Sequence, residues 1–190
     1  MHDYCDPRQN QLLSALTPAE RGRIYPSLQL AQMRLGEVLY EPSAQFRHVY
    51  FPTDCIVSLL HTLKNGASAE ISVVGNDGIV GVSFFMGGET TPFRAVVQSS
   101  GYAYRLIGHR LKEEFRQNGQ LHPLLLRYTQ ALISQMAQTA VCNRHHSINQ
   151  QLCRWLLLSL DRLDSNELAM THVKQESDRL MRAKSKHRMG

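Results

Sequence analysis

What this 190-residue chain lacks excludes most functional classes. No apolar run approaches the ~20 residues needed to span a bilayer, and the longest stretches are broken by Ser, His, Gln or Arg. Residues 1–7 carry no basic flank leading into an apolar segment, so no secretory signal is visible and a cytoplasmic protein without membrane partners is expected. Cys5, Cys55, Cys142 and Cys153 are scattered and form no C-x-x-C pair. Structural zinc, an iron–sulfur cluster and a disulfide framework are therefore not expected. There is no P-loop, no HExxH and no nucleophile elbow. A metal-dependent jelly-roll oxygenase would need His-x-His plus further ligands, and no H-x-H occurs. The doublet His145-His146 reads as a polar hinge between two helices. No catalytic residue, metal or cofactor is expected, and the chain is not expected to be an enzyme.

Hydrophobic residues make up 43% of the sequence, enough for one good core and a smaller helical appendage. The charge is unevenly placed. Residues 171–190 hold Lys174, Arg179, Arg182, Lys184, Lys186 and Arg188 against Glu176 and Asp178, which is +4 of the whole chain's +5. Such a tail can contact nucleic acid without sequence preference, through phosphates.

The texture changes twice along the chain. Residues 11–25 are helix-like, and Thr17-Pro18-Ala19-Glu20 carries the signature of a helix start, with Thr17 as N-cap and Glu20 as its capping-box partner. Short runs rich in Val, Ile, Phe and Tyr then recur at 28–35, 38–40, 48–51, 56–63, 69–74, 79–85, 93–98 and 102–107. Lys64-Asn65-Gly66-Ala67 predicts a tight hairpin turn, because Asn-Gly supplies the positive φ angles that such a turn needs. Gly75-Asn76-Asp77-Gly78, Gly87-Gly88 and Ser99-Ser100-Gly101 punctuate the remainder. About eight short strands in ~80 residues predict a jelly roll.

Helical periodicity follows. Residues 110–117 make a short helix ended by Asn118-Gly119, and Pro123 opens a long one. Along it Leu125, Tyr128, Leu132, Met136 and Ala140 fall at three- and four-residue intervals. No acidic or basic residue occurs between Tyr128 and Cys142. A helix this apolar must be covered, and the expectation is a homodimer in which these five residues meet their own copies. Ser147 caps a further helix whose Ile148, Leu152, Trp155, Leu156 and Leu163 share a face.

The paired segments Leu35-Gly36-Glu37-Val38-Leu39-Tyr40 and His48-Val49-Tyr50-Phe51-Pro52 resemble the opening strands of a cyclic-nucleotide-binding barrel. Val74-Gly75-Asn76-Asp77-Gly78-Ile79-Val80-Gly81-Val82 and Arg94-Ala95-Val96-Val97 continue the likeness. In this order they resemble the Crp/Fnr transcription regulators of bacteria over residues 11–170. The resemblance implies an α+β fold: a β jelly roll, or double-stranded β-helix, of about eight strands, cyclic-nucleotide-binding-like, with flanking helices and a long C-terminal dimerisation helix. It implies a sensor domain at 1–120, the dimerisation helix at 121–146, and at 147–190 the remnant of a winged helix-turn-helix. A small-molecule effector in the barrel would control DNA binding through differential affinity for two arrangements.

The family's phosphate cassette pairs a Gly-Glu segment with an Arg followed by Ser or Thr. Here Gly78, Ile79, Val80 and Gly81 give the glycine frame, but Ile79 replaces the Glu. Arg94 stands for the phosphate Arg, yet Ala95 follows it. Glu89 lies only five residues before Arg94. An anion needs a fixed cation and convergent N–H donors, so cyclic AMP or GMP is not expected to bind in the usual way. A winged helix-turn-helix needs about 60–80 residues, whereas 19 follow Thr171 and contain neither a second apolar helix nor a Gly-centred turn. DNA is thus a doubtful partner of this polypeptide. The alternative is a stand-alone ligand- or protein-binding module of the same fold.

Overall fold

The computed structural model describes residues 6–62 and 68–162. Among the described residues, seven strands form two antiparallel sheets around one core: β1 (Gln29–Met33), β2 (Val38–Tyr40), β3 (His48–Pro52), β4 (Ile56–Thr62), β5 (Ser68–Val74), β6 (Arg94–Ser99) and β7 (Gly101–Ile107). One sheet has the order β1-β7-β3, the other β2-β6-β4-β5. Strand β6 shows why these segments become strands: Ala95, Val97 and Ser99 are buried while Arg94, Val96 and Gln98 are half-buried, the period of two that a pleat requires. Met33, Val49, Phe51 and Leu106 of the first sheet share the core with Tyr40, Val57, Leu59, Val74 and Val97 of the second. The fold is α+β, as the patterning predicts.

Strands β4 and β5 pair from Val57–Val74 out to Thr62–Ser68, as a hairpin does. The Asn-Gly turn expected between them, Lys64-Asn65-Gly66-Ala67, lies outside the described residues. The run at 79–85 differs from its expectation. Val80 makes one bridge to Tyr50, with N–H···O distances of 3.0 and 2.8 Å. Gly81 then adopts φ +107° and leads into a 3-10 turn, Val82–Phe84. A left-handed residue ends extended pairing, and Phe84 and Phe85 are both buried, which breaks the alternation of a one-sided strand.

The α-helices among the described residues are α1 (Gln11–Ser14), α2 (Pro18–Ile24), α3 (Gly108–Arg116), α4 (Leu121–His145) and α5 (Ile148–Leu160). The capping box of Thr17 and Glu20 opens α2, and a second one, Ser147 with Gln150, opens α5. Asn118, at φ +54°, ends the α3 region. Glu20 is buried and works twice, since its Oε1 also accepts the N–H of Leu121 at 2.9 Å. An unsatisfied donor at the start of α4 is thereby capped from the N-terminal helices. Pro123 sits in the first turn of α4, where a missing N–H breaks no helix bond. With 25 residues, α4 runs ~37 Å past the barrel. No described helix is long and apolar enough to cross a membrane.

Candidate functional site

The cassette-equivalent residues are committed to packing. Gly78 has no room for a Cβ, which would fall onto the ring of Tyr128. Its carbonyl accepts from Nδ2 of the fully buried Asn10 at 2.8 Å, and the same nitrogen donates to Pro52 O at 2.9 Å. Ile79 and Val80 belong to the core. On Gly81, an added Cβ would lie 3.0 Å from Val49 and 3.2 Å from the Phe46 ring. Ala95 is fully buried between Tyr40 of β2 and Leu59 of β4.

The two halves of the cassette frame are separated by aromatic rings. Tyr40, paired with Ala95, stacks on Phe46 with centroids 4.6 Å apart, and Phe46 meets Phe84 edge-on at 5.2 Å. These three side chains occupy the interior between Ala95 and Gly81. Burial raises the Tyr40 phenol's pKa, with Tyr50 adding to the shift, so it stays protonated. Arg94 is not held in the interior. Its Nε lies 3.2 Å from Glu41 Oε2, with 40% and 55% of the two side chains exposed. Glu89 is exposed and contributes only its backbone carbonyl, which accepts from Phe46 N at 3.4 Å. Glu89 and Arg94 form no ion pair with each other among the described residues.

Tyr128 connects this region to the long helix. Its ring lies against Gly78, and burial, assisted by the nearby Asp77 carboxylate, raises its pKa so that it remains a neutral phenol. Along α4, Leu125 and Leu132 are buried within the chain itself, Tyr128 and Met136 are half-buried, and Ala140 is exposed. The bare apolar side chains are Leu126, Ile133 and Val141, at 48%, 60% and 53% exposure. At 100° per residue they form one stripe, flanked by the exposed Ala137 and Ala140. The helix thus has two apolar faces, one taken by the chain's own barrel and one open.

Helix α5 folds back along α4. Gln151 Nε2 donates to the carbonyls of Cys142 and His146 at 3.3 and 3.0 Å, and Arg154 Nη1 donates to Thr139 Oγ1 at 3.1 Å. Beyond its last turn, Arg162 reaches the Gly75–Gly78 turn of the barrel. Gly75 permits this: a Cβ there would stand 2.6 Å from Arg162 Cβ. The turn closes through Gly78 N–H to Gly75 O at 3.1 Å and is tied to α1 by Gln11 N–H to Asn76 O at 2.8 Å. The same four residues therefore touch α1, α4 and the end of α5. The basic residues Lys174, Arg179, Arg182, Lys184, Lys186 and Arg188 lie outside the described residues.

No family model matches this sequence, and no curated protein matches it. Solved structures do. FixK2 from Bradyrhizobium japonicum superposes with a TM-score of 0.63 at 14% identity, over 73% of this chain and 69% of that one. The c-di-GMP-responsive global regulator CLP of Xanthomonas campestris gives 0.57 at 13% identity, over the same shares of each chain. The regulatory subunit of a cAMP-independent protein kinase A from Trypanosoma brucei gives 0.56 at 14%, over 65% of this chain. This is the cyclic-nucleotide-binding-like fold. The cyclic-nucleotide-binding-like chain described here spans 44% of the trypanosomal subunit, less than half its length. At such identities the likeness is one of architecture, and function has to be argued from side chains.

The residues that fill the interior beside Gly81 and tie the 75–78 turn to α5 have no local signature in the sequence. Tyr40, Phe46 and Phe84 carried no spacing signal. Arg162 stood 85 residues from its partner Asp77.

Proposed function

We propose that this chain is the sensing and pairing module of a Crp/Fnr-type regulator, in which the barrel does not take cyclic AMP or cyclic GMP in the usual mode. The observation that carries the reading is the double use of α4. One face seats Tyr128 on Gly78 of the cassette frame, and the opposite face leaves Leu126, Ile133 and Val141 bare. A helix that touches the sensor on one side and a second copy on the other can pass a change between them. Barrel, α4 and α5 serve as sensor (1–120), pairing helix (121–146) and output segment (147–190).

The pairing face would meet its own copy across a two-fold axis, where each residue lies near itself. Charged positions would then repel, and α4 has no charged residue from Tyr128 to Cys142. Ala137 and Ala140 allow close approach of the two backbones. Ala140 is the member of the expected stripe that lies on this face, while Leu125 and Leu132 serve the chain's own core. Light scattering at micromolar concentration tests the reading. A dimer is expected, Ile133→Glu should give a folded monomer, and a wild-type monomer would contradict the proposal. Leu132→Glu should unfold the chain rather than split it, because a charge at a buried position has no partner.

A further inference from the structure

A cavity of about 550 Å3 lies between β5, α4 and α5, and none of the cassette-equivalent residues lines it. Its size is that of a small-molecule site. Leu124, Leu132 and Leu158 give it an apolar wall, and Arg127 and Arg154 stand on the same lining. The two guanidiniums are uncompensated. Arg127 has no hydrogen-bond or ion-pair partner among the described residues, and Arg154 donates only to the neutral hydroxyl of Thr139. The cavity's carboxylate, Asp77, is already held by Arg162. Gln135 adds a third group: its Oε1 accepts from Ser72 Oγ at 2.7 Å, while its Nε2 is buried with no partner.

A guanidinium bonded only to a neutral hydroxyl and an orphaned amide donor beside leucine side chains match one ligand chemistry, an anionic head on an apolar body. Arg is suited to this role because its planar fork engages a carboxylate or phosphate through two donors at once. We propose that this cavity binds a small amphipathic organic anion, a carboxylate or phosphate monoester carried on an apolar chain. The head would lie at Arg154 of α5 and the amide of Gln135 of α4, whose backbone carbonyl accepts from the same Thr139 hydroxyl that Arg154 bonds, and the body against Leu124, Leu132 and Leu158. Because the lining includes Val73 of β5 together with residues of α4 and α5, such a ligand bridges α5 to α4 and the barrel. The proposal goes beyond the regulator reading and requires neither DNA nor a second copy of the chain.

The full chain carries one tryptophan, Trp155, next to Arg154 on α5. Titration with octanoate and with octyl phosphate, followed by Trp155 fluorescence and by calorimetry, tests the site. Saturable binding below about 1 mM is expected for at least one of the two, and octan-1-ol should bind about tenfold or more weakly. Arg154→Gln should weaken binding about tenfold, whereas Arg127→Gln, at an exposed position twelve residues from Thr139 along α4, should change it little. Arg154→Lys should recover part of the loss. Absence of binding by both methods would overturn the proposal. So would octan-1-ol binding as well as octanoate, or Arg154→Gln binding like the wild type.

Discussion

Arg162 and Asp77, 85 residues apart in the chain, form a two-point ion pair, with Nε to Oδ1 at 3.0 Å and Nη2 to Oδ2 at 2.8 Å. The fork is further fixed by Nη1, which donates to Leu158 O at 2.8 Å, one turn back along α5. Only 12% of the Arg162 side chain is exposed. Planar two-point pairs of this kind are stronger and more directional than a single contact. The end of α5 is thereby fixed to a barrel turn that also carries Gly78, the seat of Tyr128.

Gly78→Ala should be costly. Its methyl group would overlap the Tyr128 ring, and neither α4 nor the 75–78 turn can move without disturbing Asn10 and Asp77. Overpacking at such a site costs about 1–3 kcal/mol. The melting temperature measured by circular dichroism should fall by several degrees. Gly22→Ala, where an added Cβ meets nothing within 4 Å, should leave it unchanged or slightly raised.

Cyclic AMP and cyclic GMP should give no heat of binding in calorimetry at concentrations up to about 1 mM. The rings of Tyr40, Phe46 and Phe84 occupy the interior between Ala95 and Gly81, and Arg94 is paired outward with Glu41. Micromolar binding that disappears in Arg94→Ala would show that the Glu41 pair opens and that the cassette still works.

Much of this architecture was legible in the sequence. Thr17 with Glu20 and Ser147 as a cap announced two helix starts because capping depends on residues three apart. Asn118 marked a helix end for an equally local reason, the ease with which Asn adopts positive φ. The seven described strands match seven of the expected runs, four of them reaching one residue beyond. The eighth run was lost to Gly81, where one backbone angle decided between a strand and a turn. Which face of α4 turns inward was not legible. A helix without charge from Tyr128 to Cys142 offers apolar residues all round, and its most regular stripe, Leu125 to Leu132, went to its own core. The Asp77–Arg162 pair joins distant segments, and no local pattern encodes such a contact.

Binding of this polypeptide to duplex DNA should be weak, without sequence preference and steeply salt-dependent. Lys174, Arg179, Arg182, Lys184, Lys186 and Arg188 can neutralise phosphates, and phosphate contacts carry no sequence information. Gel shifts over a salt series check this. Affinity should fall by orders of magnitude between about 50 and 200 mM salt, and tight binding to one palindromic site would contradict it.

The barrel holds α5 through the 75–78 turn, and hydrogen exchange on Asp77→Asn tests this most directly. The substitution keeps the side-chain oxygen that Gly75 N–H uses and removes the charge that holds Arg162. Losing a partly exposed two-point pair should lower the local opening free energy of α5 by about 1–2 kcal/mol. The account predicts that amides of Ile148–Leu160 exchange about five- to thirty-fold faster, while those of β3 and β7 keep their wild-type rates. Unchanged exchange in α5, or acceleration spread equally over both sheets, would contradict it.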